Sequence, residues 1–389
     1  MALQQPLNQQ STLPPAQPVY ILRGHAAQIH AVHFLPDNLR LLTGDAEGWI
    51  VLWSLPIRRP LAVWKAHKEP ILGLGSWGND KIITHGRDSK LYVWQLRAED
   101  EATFSTTLPI DDAVSERKQP WLIHSLTVNT LNFCSFAMCA DGTQSHSTDI
   151  LIATPGVSDG STNITALPSE QRFATIPSPP GLKTGMTMAL ALTYTAQRSS
   201  LRLLAGYESG HIAVWERGPN TSTTRWTAIY TTKQHSQPIL SLAPTPDGSC
   251  FFTSSADAII ARYSMPEAGG ACEEKVLQTK HAGQQSISVR SDGKIFSTAG
   301  WDGRIRVYSV KTLKELAVLK WHKEGCYATA FARIHESAAT DDAGGKAEEE
   351  GDLVKRDLTV SEQRVEKARR THWLAAGSKD GKVSLWDIY

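Results

Sequence analysis

His67, Thr84 and Asp88 supply an imidazole, a hydroxyl and a carboxylate, the three groups of a hydrolytic triad. The set is not single. It recurs as His25, Thr43 and Glu47, as His235, Thr253 and Asp257, and as His281, Thr298 and Asp302. A further copy, His322 with Asp380, has Ala376 at the hydroxyl position. An aromatic follows each hydroxyl position at the same interval: Trp53, Trp94, Tyr263, Tyr308 and Trp386. A single active site has no use for repeated triads that each end on an aromatic. The physical alternative is a buried hydrogen-bond chain. The carboxylate accepts from the imidazole, and the hydroxyl bridges the imidazole to the indole N–H. Such a chain survives burial only when every polar member has a partner. These residues are therefore read as structural.

The elements that hold them repeat as well. Leu41–Ser54 reads LLTGDAEGWIVLWS, Ile82–Gln95 reads IITHGRDSKLYVWQ, and Leu374–Asp387 reads LAAGSKDGKVSLWD. Each is an apolar strand, a tight polar turn and a second strand that closes on Trp. Self-similarity at such a period marks a repeat architecture. A His followed by strand, turn and strand ending in Trp or Trp-Asp is similar to the WD-repeat signature. The expected fold is an all-β, seven-bladed WD40 β-propeller.

Unit one runs from His25 to Leu55 and unit two from His67 to Leu96. Unit four takes Thr187–Thr193 as its first strand and ends in Leu203–Glu216; units five, six and seven start at His235, His281 and His322. Unit three lacks both the His and the closing Trp. It is inferred from Trp121–Met138, Ile150–Thr154 and Ile164–Leu167, after a polar linker at Arg97–Lys118. Seven four-stranded units close a ring. The last unit stops after its third strand, and Val19–Leu22 is a spare one. Pairing the two is predicted to close the ring and remove its open edges. Residues 1–17, rich in Pro, are then expected as a disordered tail, and 18–389 as the propeller. Residues 335–370 interrupt the last unit. Asp341–Asp357 is an acidic, loop-like stretch. Thr359-Val360-Ser361-Glu362 fits a capping box that opens a helix through Arg370.

Composition narrows the function. The 389 residues carry 40 Lys+Arg against 39 Asp+Glu, so no general field draws the chain to nucleic acid or an anionic membrane. No apolar run approaches the ~20 residues that span a bilayer. Met1–Gln17 has no basic and apolar regions of a secretory signal. The 5 Cys are scattered, with no second Cys or His pair to complete a zinc site beside Cys134 and Cys139. They are expected as buried free thiols in a reducing compartment. Neither a cofactor nor a metal is expected, and an adaptor is favoured over an enzyme, which would need a metal or carboxylate cluster at the channel.

Partner binding then belongs on an exposed face. The residue before each turn carboxylate points out of the ring near the His turns: Ala46, Arg87, Glu208, Ala256, Trp301 and Lys379. Arg87, Trp301 and Lys379 are the candidate partner-binding residues, since Trp and Arg anchor interfaces most often. Trp49 and Trp77 are weaker candidates, better suited to packing between blades. Trp301-Asp302-Gly303-Arg304 matches the WD-x-R motif of cullin-ligase substrate receptors, but lies in a turn rather than after a closing Trp. It is read as coincidence. A substrate receptor of a ubiquitin ligase and a Gβ-like signalling adaptor remain as alternatives. The latter would bring an N-terminal coiled coil, where Met1–Gln17 has Pro and no heptads.

From Tyr20 to Tyr389 the chain resembles the fungal ASTRA-associated WD-repeat proteins, a family related to animal G-protein β-subunit-like proteins. The resemblance is carried by YILRGH at Tyr20–His25, DAEGWIVLW at Asp45–Trp53, WKAHKEPILGL at Trp64–Leu74 and HGRDSKLYVWQL at His85–Leu96. It continues in Ala299–Ala332 and in AAGSKDGKVSLWDIY at Ala375–Tyr389. It implies a nuclear subunit of the ASTRA assembly, with a cytoplasmic pool as well. Its implied partners are the kinase-like subunit, maturation cochaperones and AAA+ ATPases of that assembly. The implied setting is chromatin regulation and maturation of phosphatidylinositol-3-kinase-like kinases.

Overall fold

A computed structural model describes residues 16–388 except 142–147, 196–199, 219–224, 268–271 and 336–357. The described residues form seven antiparallel four-stranded sheets arranged as the blades of a β-propeller. In strand order from the central channel outward, blade one is Ile29–Phe34, Arg40–Asp45, Trp49–Ser54 and Arg59–Lys65. Blade two is Ile71–Trp77, Lys81–Gly86, Lys90–Gln95 and Trp121–Thr127; blade three is Ala137–Ala140, Ile150–Pro155, Thr162–Leu167 and Gln171–Ile176. Blades four, five and six open on Thr187–Tyr194, Ile239–Pro244 and Gln284–Val289 and end on Trp226–Lys233, Glu274–Gln278 and Glu315–Lys320.

Blade seven closes the ring. Its own strands are Cys326–Phe331, Trp373–Ser378 and Lys382–Asp387, and its outer strand is the N-terminal segment Tyr20–Arg23. The two ends pair antiparallel, Tyr20 against Leu385 and Arg23 against Lys382. Leu22 is 2% exposed, in one core cluster with Ile29, Val383 and Leu385. The predicted closure is thus observed. The first fifteen residues of the expected tail lie outside the described residues.

Burial explains the apolar runs. A middle strand is covered on both faces by neighbouring blades, so Leu41, Leu42, Ile50, Val51 and Leu52 are all inaccessible. Blades interlock where the second strand of one meets the inner strand of the next. A Cβ on Gly377 would stand 2.4 Å from Ile29 Cγ2, and one on Gly44 2.8 Å from Ile71 Cγ2. Glycine at these two positions lets the isoleucine seat against the backbone.

Two expectations are corrected. Trp121–Thr127 is not part of blade three; it pairs with Lys90–Gln95 as the outer strand of blade two. The polar linker therefore lies within blade two, between its third and fourth strands. The segment before Trp121 reaches over blade one. Glu101 pairs with Arg40 at 2.7 Å, Val63 N–H donates to Ser105 O, and Ile110 N–H donates to Gly24 O. Arg117 lies 4.5 Å above the Trp49 ring. The segment covers the outer edge of blade one, which would otherwise present unpaired backbone groups.

The helix in the last blade forms over Val360–Arg370, with the expected capping box between Thr359 and Glu362. Its C-terminal end is held by blade one: Asn38 Nδ2 donates to Arg333 O at 2.6 Å and to Arg369 O at 3.3 Å. Trp373 Nε1 donates to Ala368 O at 2.8 Å. The acidic stretch Asp341–Asp357 lies outside the described residues.

Leu22→Ala is expected to cost about 2–5 kcal/mol, the range for a buried leucine, although the strand is the shortest of its blade. Urea denaturation measures it, and an unchanged midpoint would contradict closure through this strand.

Candidate partner-docking site

The repeated triads are the frame of the site. In blade two His67 Nδ1 meets Asp88 Oδ1 at 2.9 Å, His67 Nε2 meets Thr84 Oγ1 at 2.8 Å, and Trp94 Nε1 donates to the same hydroxyl at 2.9 Å. Burial raises the Asp88 carboxyl more than any one neighbour lowers it, but the bond and charge of His67 together with the backbone N–H groups of Lys68 and Lys90 hold it below its ordinary value. In blade five His235 meets Asp257 at 3.1 Å and Thr253 at 2.8 Å. Here Tyr263 stacks on Phe251 in place of an indole. Each hydroxyl is used within the chain, and both Thr84 and Thr253 are inaccessible. They are not placed to attack a substrate.

Three blades depart from the expected pairing. In blade one the acceptor for His25 is Asp45, at 2.7 Å, rather than Glu47, which is exposed. Asp45 stands where blade two has Gly86, and a Cβ on Gly86 would lie 2.3 Å from His67 Nδ1. The carboxylate reaches the imidazole from the strand end or from the turn, and the two cannot share the space. Thr43 and Trp53 complete the chain at 2.7 and 2.9 Å.

In blade seven the hydroxyl comes from Ser384, which meets His322 Nε2 and Trp386 Nε1, each at 2.9 Å. Ser384 is the cross-strand partner of Ala376, so the group is supplied from across the ladder. Asp380 accepts from His322 at 3.3 Å.

In blade six His281 is outside the network. Its side chain is 45% exposed, 3.8 Å from Asp302. Thr298 Oγ1 instead donates to Gln284 Oε1 at 2.7 Å, and Asp302 pairs with Arg306 at 2.6 Å. The cause is a loop one residue shorter. His281 stands three positions before Gln284, whereas His25, His67, His235 and His322 stand four before Ile29, Ile71, Ile239 and Cys326. Gln284, fully buried, occupies that strand position and takes over the bond. Trp301-Asp302-Gly303-Arg304 occupies the turn and the start of the third strand, with Asp302 engaged by Arg306.

This frame fixes the rim. In six blades the residue that opens the turn after the second strand donates its backbone N–H to the residue just ahead of the inner strand. The bonds run from Ala46 to Gln28, Arg87 to Pro70, Glu208 to Met186, Ala256 to Pro238, Trp301 to Gly283 and Lys379 to Gly325, at 2.8–3.2 Å. The same six inner strands each carry a bulge one residue later. His30, Leu72, Met188, Leu240, Gln285 and Tyr327 are skipped by the ladder. A bulge re-aims its side chain, and all six line one basin of about 420 Å³ at the mouth of the channel. Blade three has no such bulge, and Phe133 fills its sector.

Arg87 and Trp301 line the same basin. Trp301 is 47% exposed; its Nε1 donates to Gln285 at 2.8 Å, and its ring covers Gly283. The Arg87 guanidinium lies 4.2 Å over the Phe133 ring. Lys379 is not on the basin. It stands on the rim 3.9 Å from Glu324. Trp49 and Trp77 are buried between blades. The bulge residues are the part of the site that sequence reading missed.

Among the described residues no group of His, Cys, Asp and Glu could hold a metal, all five cysteines are free thiols, and no helix is long and apolar enough to cross a membrane.

The geometry is that of a WD-repeat β-propeller, and residues 16–54, 226–261, 274–309 and 368–387 match the family described as WD domain, G-beta repeat. Each longer match opens on the outer strand of one blade and runs into the third strand of the next, as expected when repeat and blade are offset. ASTRA-associated protein 1 of Verticillium alfalfae is 49% identical over 395 residues, covering 99% of this chain and 96% of the relative. The protein of that name from Aspergillus flavus is 45% identical, over 97% of this chain and 98% of the relative. That from Schizosaccharomyces pombe is 33% identical, over 96% and 99%. The chain belongs to the ASTRA-associated protein 1 family.

Two predictions follow from the networks. His67→Ala is expected to cost at least about 1–3 kcal/mol, the penalty for stranding buried partners, whereas His281→Ala stays within about 0.5 kcal/mol as a surface change. Equal losses by chemical denaturation would contradict the blade-six assignment.

Burial, with Arg333 nearby, lowers His33 to about 4; burial, with His67 nearby, lowers His85 to about 3. Their neutral forms are favoured in the fold, so their contribution is complete above the ordinary value of 6.5. It is lost as pH falls from 6.5 toward those lower values. Stability should drop by about 1.4 kcal/mol per pH unit for each such histidine. Urea midpoints that stay level between pH 7 and pH 5 would contradict it.

Proposed function

We propose that this chain is a non-catalytic scaffold subunit of an ASTRA assembly and that it docks partner subunits at the channel mouth. The observation that carries the assignment is the near-full-length likeness to proteins named ASTRA-associated protein 1. The mouth supports the choice of face. Its walls come from the inner strands of six blades and from Phe133 in the sector of blade three. Trp301 and Arg87 are of the types that anchor interfaces. Both are tethered through the backbone, so little side-chain and loop entropy is lost on binding. Repeated hydrogen-bond chains at fixed spacing support a structural rather than catalytic reading of the His–Thr–Asp sets.

The same reading extends to setting and partners. The subunit acts in the nucleus, with a cytoplasmic pool, in chromatin regulation and in the maturation of phosphatidylinositol-3-kinase-like kinases. Its partners are the kinase-like subunit, cochaperones and AAA+ ATPases of the assembly. It binds neither nucleic acid nor membrane directly. The near-neutral charge balance supports this last point.

The test is the double variant Arg87→Ala, Trp301→Ala in a tagged chain expressed in its own host. Thermal unfolding should stay within about 1–2 kcal/mol of wild type, since both side chains are exposed. Co-purification of the assembly's subunits should fall severalfold. A normally folded double variant that retains every subunit would place docking elsewhere. Lys379→Ala, on the rim and off the basin, should have the smaller effect.

A further inference from the structure

The mouth carries an electrostatic asymmetry among walls that are otherwise uncharged at neutral pH. Arg87 is the only side chain with a full charge among the residues that line it. His30, on the adjacent blade one, is disfavoured as a cation by its burial, against the pull of Asp45 and with Arg87 adding to the effect. Among the described residues the Arg87 guanidinium makes no ion pair and no hydrogen bond; its carbon lies 4.2 Å over the Phe133 ring. A cation–π contact uses none of its N–H groups as hydrogen-bond donors to another side chain. Those groups match a carboxylate in two parallel bonds.

The remaining wall mixes apolar and aromatic side chains, among them Leu72, Met188, Leu240, Phe133, Trp301 and Tyr327, with the uncharged amides of Gln28 and Gln285. A basin of about 420 Å³ lies within the roughly 300–1,000 Å³ of pockets that bury a ligand. An aromatic-walled pocket could otherwise hold a cationic side chain over its ring faces. Here a fixed, unpaired guanidinium stands in the same space, so a cationic guest meets repulsion and an acidic one does not.

We propose that the mouth takes a partner's peptide segment in which an aromatic or leucine side chain enters among Leu72, Met188, Leu240 and Tyr327 while a neighbouring carboxylate binds Arg87. This deepens the docking assignment above and rests on it. The occupant is a protein segment rather than a free small anion, because a single cation beside a chamber with apolar and aromatic walls rewards apolar and acidic groups held on one chain.

The experiment uses the purified full chain and three fluorescein-labelled, end-blocked heptapeptides followed by fluorescence anisotropy. The first is Gly-Glu-Asp-Phe-Asp-Glu-Gly. The second has Lys at every acidic position, and the third has Ser in place of Phe. The acidic aromatic peptide should bind at least about tenfold more tightly than either of the others, as expected of a hot-spot contact. Arg87→Gln should weaken it about tenfold, Trp301→Ala comparably, and Arg87→Glu should shift preference to the Lys peptide.

No saturable binding of the acidic peptide up to about 1 mM, the weak limit of specific affinity, would overturn the proposal. So would tighter, Trp301-dependent binding of the Lys peptide to the wild-type chain. In that second case docking at the mouth stands and only the chemistry of the occupant fails. Docking itself fails separately, when the Arg87→Ala, Trp301→Ala chain keeps all its subunits in co-purification.

Discussion

A buried imidazole is best satisfied with a partner on each ring nitrogen, and in blades one, two, five and seven that pairing holds the outward loop to its own turn. His67 sits in the loop that enters blade two; Asp88 and Thr84 sit in the turn and strand it must face. Satisfying both nitrogens fixes the loop against the turn. The backbone bond from Arg87 to Pro70 then closes the same gap a second time. The bulge at Leu72 follows immediately, where the inner strand leaves this doubly held corner. In blades one, two, five and seven the rim and bulge sit on this buried chain and its hydrogen-bond requirement; blade four carries the same backbone bond and bulge without it, so the backbone bond is the part common to all six.

The chain meets that requirement in several chemical ways. Asp45 replaces the turn carboxylate in blade one, Ser384 replaces the second-strand hydroxyl in blade seven, and Gln284 replaces the histidine in blade six. What is kept is the position of the satisfied polar atoms and the backbone tether. The side chains that supply them vary, because a buried donor is indifferent to which residue carries its acceptor. This is also why rim residues can differ freely from blade to blade. Once the turn is held from below, the residue above it is available for binding.

Much of the fold was legible in residues alone. Trp53, Trp94 and Trp386 at a constant interval mark the third strands, and Val19–Leu22 beside an incomplete last blade marks the closure. Thr359 and Glu362 mark the helix start. The rest was hidden for physical reasons. Trp121–Thr127 follows a long excursion, so its pairing with blade two depends on contacts distant in sequence. Ser384 is visible only through cross-strand register, and His281 only by counting its distance to the inner strand. The six bulge residues carry no shared chemistry: His30, Leu72, Met188, Leu240, Gln285 and Tyr327 have register in common and nothing else. Arg87 and Trp301 were legible as rim residues, but their meeting in one basin follows from ring closure.

The claim on which the functional reading turns is that the channel mouth is the covered surface in the assembly. Hydrogen exchange of the chain, alone and in its purified complex, measures this directly. Binding at the mouth predicts slowed exchange in the segments around Arg87, Trp301 and Tyr327, with little change around the helix Val360–Arg370. Protection confined to that helix or to the outer strands, with the mouth unchanged, would contradict it.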